Sequence, residues 1–379
     1  MAGARSLLAA PVTRRRATAL IAAGMAPLPA TMASASGIAT LPAPLARGFN
    51  LPGWVDREHG VAPARPVLEK LRALGFASIR VPVAADPLLG DEETARAMLR
   101  RIGDAVALCL AAEFAVVLDL HPGGAFAAGL RDDPAHGCRS AVAAWRVLRD
   151  VVADFPAGSV FAELLNEPPL DQATWIRLRD ELANVVRQTC PQHGIVWGPA
   201  RYQGMWELAD TTPLADDRAV VAVHYYAPMA FTHQCENWDD SPLGHVSNLP
   251  FPATVDSPAV AKLRESLAAA GDEQGLALLR DAFSQPWSAA HIADEFSKLG
   301  EWATQHDCPV VVGEFGVLNF CVDRDSRANW ARAVRRAAEL NGIGWTWWEL
   351  DQGFGFIGSR LDTDGFDLAM IEALTGGGG

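Results

Sequence analysis

The feature that most constrains this chain is its rhythm. Short apolar runs alternate with longer amphipathic stretches about eight times, giving candidate strands at 46–51, 77–83, 114–120, 159–165, 194–198, 219–225, 309–315 and 343–350. Several runs are almost continuously hydrophobic, such as Ala115-Val116-Val117-Leu118 and Val310-Val311-Val312. Strands buried on both faces look like this, and they imply a parallel sheet. Between them, 66–74, 92–112, 139–153, 173–189, 289–306 and 324–340 carry apolar residues at three- and four-residue intervals, the period of a one-sided helix. Such alternation builds either a closed barrel or a doubly wound sheet. No glycine-rich phosphate loop follows the first strand, and polar residues stand at many strand ends. Both features favour an α/β fold of the (β/α)8 TIM barrel type, with a single catalytic domain over 36–375. One region breaks the rhythm. Between the sixth strand and the helix near Ala289, 227–257 is rich in proline, aspartate and aromatic residues, and 258–283 has a helical pattern. A connection this long normally carries function or structure of its own, so it reads as an insertion over the active-site face.

The two ends read differently from the middle. Arg14, Arg15 and Arg16 precede a mildly apolar stretch of small residues, and Ala33-Ser34-Ala35 supplies an A-x-A cleavage pattern. Residues 1–35 therefore read as an export signal, by a general or a twin-arginine route, which makes the expected location periplasmic or secreted. The closing glycines, 376–379, read as a flexible tail. The net charge of -13, with no long basic run, argues against nucleic acid and anionic membrane as partners. No later stretch is long and apolar enough to span a bilayer. Six cysteines are scattered without a C-x-x-C pair, so a zinc site of the usual spacing is not expected. Cys138 and Cys235 fall in expected loops and are candidates to pair; Cys109 reads as a buried thiol. The expectation is zero to two bridges, a monomer, and no cofactor or metal.

Barrel enzymes carry their chemistry at the C-terminal ends of strands. Those ends hold Arg80 on the second strand, Asp119-Leu120-His121 on the third and Asn166-Glu167-Pro168 on the fourth. The sixth ends in His224-Tyr225-Tyr226, the seventh in Gly313-Glu314-Phe315-Gly316, and the eighth carries Trp345, Trp347, Trp348 and Glu349. A charge directly after an apolar strand is costly unless it has a partner or a task. Glu167 and Glu314 come from opposing arcs, so they can converge across the mouth. Two convergent carboxylates, one protonated and one ionised, are what glycoside hydrolysis with retention requires. Arg80 is placed to keep Glu314 ionised. Each residue seen alone also fits a bland role, as a salt bridge or packing group.

Together these segments resemble glycoside hydrolase family five. The resemblance rests on Ile79-Arg80-Val81-Pro82, Asp119-Leu120-His121, Leu165-Asn166-Glu167-Pro168, His224-Tyr225-Tyr226, Gly313-Glu314-Phe315-Gly316 and Trp347-Trp348-Glu349, in the family's order over roughly 46–372. It implies a retaining β-glycosidase of the endoglucanase kind, acting on β-1,4-glucan or a related neutral polysaccharide. It implies Glu167 as general acid/base and Glu314 as nucleophile. Asn166 would bond the sugar 2-hydroxyl, and Tyr226 and Arg80 would orient the nucleophile. His224 would neighbour the acid/base, His121 would contact the sugar, and Trp348 would form its stacking floor. The opening Gly48-Phe49-Asn50-Leu51-Pro52-Gly53-Trp54 is also family-like, with Asn50 at the first strand and Trp54 as a candidate sugar platform. Pro169 after the N-E-P triplet departs from the family pattern and is expected to stiffen that loop without displacing Glu167.

Aromatic residues point to the same substrate class, because flat rings stack on flat pyranose faces. There are twelve tryptophans against three tyrosines. Tyr202, Trp206, Phe231 and Trp238 follow strands five and six, while Trp145, Trp175 and Trp330 read as helix packing. β-Mannan, xyloglucan and β-1,3-glucan are alternative substrates for the same machinery. Two other classes remain. One is a metal-dependent barrel hydrolase using Asp119, His121, His224 and the two glutamates, although Asn50 stands where an H-x-H start is usual. The other is a non-catalytic carbohydrate-binding barrel, against which both glutamates are present.

Overall fold

In the computed structural model, residues 40–238 and 240–377 are described. The expected export signal at 1–35 lies outside them, as do Gly378 and Gly379 of the expected tail; Gly376 caps the last helix in the left-handed region with φ 92°. Eight strands close into a barrel in sequence order: β1 (Arg47–Asn50), β2 (Ser78–Ala84), β3 (Ala115–His121), β4 (Val160–Glu163), β5 (Gly194–Trp197), β6 (Ala219–Tyr225), β7 (Val310–Phe315) and β8 (Gly344–Trp347). Every pairing is parallel, and β1 closes on β8. The expected barrel is the observed one.

The apolar strand residues divide between two cores because side chains alternate across a strand. Ala115, Val117, Phe161, Val196, Val220, Ala222 and Val311 fill the barrel interior. Their neighbours Val116, Leu118, Val160, Ala162, Val221, Val223, Val310 and Val312 face the helices. Trp345 and Trp347 are wholly buried in that outer layer, where Phe315 packs edge-on against both. The same alternation, continued in steps of two along each strand, brings Arg80, Asp119 and Glu163 into phase with the interior residues. The apolar plug therefore ends in a polar layer at the C-terminal mouth.

Helix starts follow from side-chain caps. Asp91, Asp171 and Asp323 each accept the backbone N–H three residues on, opening helices at Glu92–Ala111, Gln172–Arg187 and Arg324–Leu340. The helix expected from 139 begins earlier, at Pro134, because Asp133 caps it and proline suits a first helical position. The long connection after β6 holds short helical turns, then helices at Pro258–Ala270 and Glu273–Ala282. Among the described residues, no helix is long and apolar enough to cross a membrane.

One disulfide is present among the described residues, and it is not the expected pair. Cys235 bonds Cys321, with Cα atoms 6.2 Å apart, and Cys138 is free. Cys138 lies within the helix Pro134–Ala153 on the outer wall, whereas Cys235 and Cys321 sit in the loops after β6 and β7. Neighbouring strands in a barrel place their following loops side by side, which meets the distance a bridge needs. Cys109 is a fully buried thiol, as expected; burial pushes its pKa up to about 12.

Candidate active site

The mouth opens into a cleft of about 920 Å³, lined among others by His121, Asn166, Glu167, Tyr226, Glu314 and Trp348. Glu314 reaches it through an irregularity. Val310 and Val312 face the helices and Val311 the interior, so strict alternation would send Glu314 outward. The register slips by one residue between Val312 and Phe315, and His224 pairs with Glu314 rather than Gly313. A bulge of this kind re-aims a side chain. A Cβ on Gly313 would lie 3.4 Å from Ala222 Cβ and His224 Nε2, an ordinary contact distance, so the bulge does not depend on glycine for space.

Arg80 organises the layer beneath. Its guanidinium donates Nε and Nη2 to the two oxygens of Glu163 (2.7 and 2.9 Å) and Nη1 to Glu314 Oε1 (2.8 Å). It also donates to Asn166 Oδ1 at 2.8 Å and Asn50 Oδ1 at 3.0 Å, and lies 3.1 Å from Asp119 Oδ2. Burial alone would lower the pKa of this guanidinium, but Asp119, Glu163 and Glu314 outweigh it and hold the charge firmly. Asp119 in turn receives His121 Nδ1 at 2.7 Å, and Asn166 Nδ2 meets His121 Nε2 at 3.4 Å. The His121 ring stacks at 12° to Trp348, with centroids 6.1 Å apart.

Glu314 accepts Tyr226 Oη–H on its second oxygen at 2.9 Å. Burial and the charge of Glu314 keep that phenol protonated, so it stays a donor. Glu167 accepts His224 Nδ1 at 2.8 Å, and the same nitrogen is 3.5 Å from Glu314. Oxygens of Glu167 and Glu314 lie within 4.8 Å of each other with the His224 nitrogen between. The two carboxylates therefore titrate as a pair. Burial raises Glu167, but the hydrogen bond and charge of His224 reverse this and hold its pKa below the ordinary carboxylate value. Glu314 is raised by fuller burial and by the charge of Glu167, against the pull of His224 and Arg80. Glu167, His224 and Glu314 could offer three ligand atoms to a cation. Both oxygens of Glu314 are already engaged by Arg80 and Tyr226, so the set suits proton transfer better.

Arg80, His121, Asn166, Glu167, His224, Tyr226, Glu314 and Trp348 thus meet in one place. Two other candidates do not touch the cleft. Trp54, directly after Gly53 (φ 75°), is only 6% exposed and packs into the outer core, while Pro52, Asp56 and Arg57 around it line the cleft. Asn50 is wholly buried; it accepts from Arg80 and donates to the carbonyls of Gly313 and Trp347, so it supports the layer from below. Tyr202 and Trp206 are exposed away from the lining, whereas Trp238 lines it.

Two positions of the polar layer stand outside the motifs read from the sequence, and a third, Glu349, stands in one of them without an assigned role. Glu163 was legible in principle, being a charge in an apolar strand in phase with Phe161. Gln203, wholly buried in the loop after β5, offered no such signal. Glu349 lines the cleft, accepts the N–H groups of Asp351, Gln352 and Phe354, and is pushed by burial to about 7.

The chain is similar to several known proteins. Endoglucanase 3 of Fibrobacter succinogenes is 29% identical over 238 residues, covering 60% of this chain but only 35% of that protein's length. Endoglucanase C of Acetivibrio thermocellus is 24% identical over 324 residues, covering 80% of this chain and 91% of that one. Among solved structures, Thermotoga maritima Cel5A in complex with cellobiose superposes with a TM-score of 0.72 at 23% identity, covering 88% of this chain and 97% of that one. The cellulase description, glycosyl hydrolase family 5, matches residues 42–353. The chain therefore belongs to the cellulase family, glycosyl hydrolase family 5.

Proposed function

We propose that the protein is a retaining endo-β-1,4-glucanase. The observation that carries this reading is the approach of Glu167 and Glu314 oxygens to within 4.8 Å. Retaining glycosidases hold their carboxyls about 5–5.5 Å apart, and inverting ones about 6.5–9.5 Å apart to admit a water. In the first step Glu314 attacks the anomeric carbon while Glu167 protonates the departing glycosidic oxygen. In the second, Glu167 takes a proton from water, which attacks the same carbon and frees Glu314. Arg80 and Tyr226 hold the attacking oxygens in place, and Asn166, fixed by Arg80, presents its amide to the 2-hydroxyl. Trp348 offers the ring face.

These roles need the proton on Glu167. In the empty cleft the directions run the other way, with Glu167 held below the ordinary carboxylate value and Glu314 above it. The side chain of Glu167 is 34% exposed and that of Glu314 6%, so a bound sugar strips water chiefly from Glu167. Loss of water raises a carboxyl.

The substrate reading is supported by relatives named endoglucanases. β-Mannan is the second reading, because Thermotoga maritima Cel5A has also been solved with mannotriose. The test is hydrolysis of carboxymethyl-cellulose, mixed-linkage β-glucan, galactomannan, xyloglucan and laminarin side by side. Cleavage of the first two is expected. Cleavage of galactomannan alone would replace the substrate and keep the mechanism, and cleavage of none would remove the reading. We further propose export, supported by the leader-like 1–35 and by the Cys235–Cys321 bridge, which persists in oxidising compartments. Recovery of the intact, uncleaved chain from the cytoplasm alone would overturn it.

A further inference from the structure

We infer that Gln203 is a positioning residue for the acid/base carboxyl, holding both the main chain of Glu167 and the histidine bonded to its side chain. The inference rests on the functional reading above. It begins from backbone geometry. Glu167 has φ 43°, and Arg201, Tyr202 and Gln203 have φ 54°, 65° and 56° in succession. The left-handed region is disfavoured for L side chains. Three such residues in a row form a tight turn that persists only where its surroundings over-determine it, and such places cluster at functional sites.

What this turn achieves is the delivery of one amide into the floor of the site. Gln203 is wholly buried. Its Oε1 accepts the Glu167 N–H at 2.7 Å, and its main-chain carbonyl accepts the His224 N–H at 2.8 Å. His224 Nδ1 then meets the Glu167 carboxylate at 2.8 Å. One residue therefore fixes both ends of the Glu167–His224 pair. Its Nε2 faces Ala222 O at 3.4 Å and Glu163 Oε1 at 3.5 Å, on the carboxylate that clamps Arg80. The turn is tied to the β4 end as well, since Arg201 N–H donates to Pro168 O at 3.1 Å. Space for the amide is made by Gly198, where a Cβ would fall 2.4 Å from Gln203 Cγ and Nε2. Without the acceptor, the Glu167 N–H would be left without its partner in the site and the left-handed turn at Glu167 would lose its tether. The carboxyl would still be present but poorly aimed, and small misplacements of a catalytic group are costly.

Acid catalysis has a signature that general damage lacks. A good leaving group departs without a proton, and a poor one does not. The experiment compares kcat/KM of wild type, Gln203→Met and Gln203→Ala on 2,4-dinitrophenyl and unsubstituted phenyl β-cellobiosides, with circular dichroism and thermal melts as folding controls. Methionine keeps the length and bulk without the acceptor. The expected result is a loss on the order of 10–100-fold on the phenyl substrate and little change on the dinitrophenyl one. Equal losses on both substrates, or no loss on either, in the folded variants would overturn the proposal while leaving the functional reading intact. A wild type inert on both would overturn the functional reading, and this proposal with it.

Discussion

The ends of β4 and β7 deliver the same chemical group to one cleft and hold it in different ways. Glu314 comes from within a strand, almost fully buried, with Arg80 on one oxygen and Tyr226 on the other. Glu167 stands just beyond its strand in a left-handed conformation, a third exposed, with His224 as its side-chain donor among the described residues. Glu314, the proposed nucleophile, is fixed by the barrel itself and by a cation that cannot lose its charge. Glu167, the proposed acid/base, is held by a loop and by a histidine, a group that can gain or lose a proton near neutrality. A nucleophile must stay in one state and place, whereas an acid/base must change state twice per turnover.

Removing either carboxyl breaks the comparison outright. Glu314→Gln and Glu167→Gln should fold normally and lose about 10³-fold or more of kcat on polymer. They should then part company on a dinitrophenyl glycoside, where Glu167→Gln still forms the glycosyl-enzyme and Glu314→Gln does not; a pre-steady-state burst reads this. Equal behaviour would mean the roles are wrongly divided. Arg80→Met should cost about 3–5 kcal/mol of stability, because Asp119, Glu163 and Glu314 would be left buried without their cation. Urea unfolding measures it, and a near-neutral result would show that the site is wetter than its burial indicates.

Smaller changes sharpen the contrast. Tyr226→Phe removes one donor from Glu314, and a hydrogen bond to a charged group is worth about 1.5–3 kcal/mol. The expected fall in kcat is roughly 10–100-fold with stability little altered. His224→Gln should act through pH instead. Burial raises both carboxyls and His224 lowers both, so its loss moves both upward. Activity needs an ionised nucleophile and a protonated acid, so the acidic and basic limbs of the kcat/KM profile should both move to higher pH. A profile that stays in place would show that His224 is neutral in the working enzyme.

Much of this was legible in the chain. The barrel follows from eight apolar runs separated by amphipathic ones, and the residues at the mouth stand at the strand ends and in the motifs that carry the family resemblance. The failures are as instructive. Trp54 reads from the sequence as a platform, but its ring lies in the core, and side-chain direction in a loop depends on backbone angles that composition does not give. Cys138 reads from the sequence as a loop residue and a candidate to pair with Cys235, yet helix Pro134–Ala153 carries it on the outer wall. Gln203 was invisible because nothing near it in sequence marks the left-handed turn that buries it.

The sequence by itself determined the elements, their order and the residue types at the mouth, because those depend on period, hydrophobicity and local caps. Only the tertiary structure decided how they meet. Closure of the barrel, the extra residue at Gly313 that turns Glu314 inward, and the turn at Arg201 to Gln203 all depend on contacts between residues far apart in the chain. Those contacts set the distance between two carboxylates, and the chemistry depends on that distance.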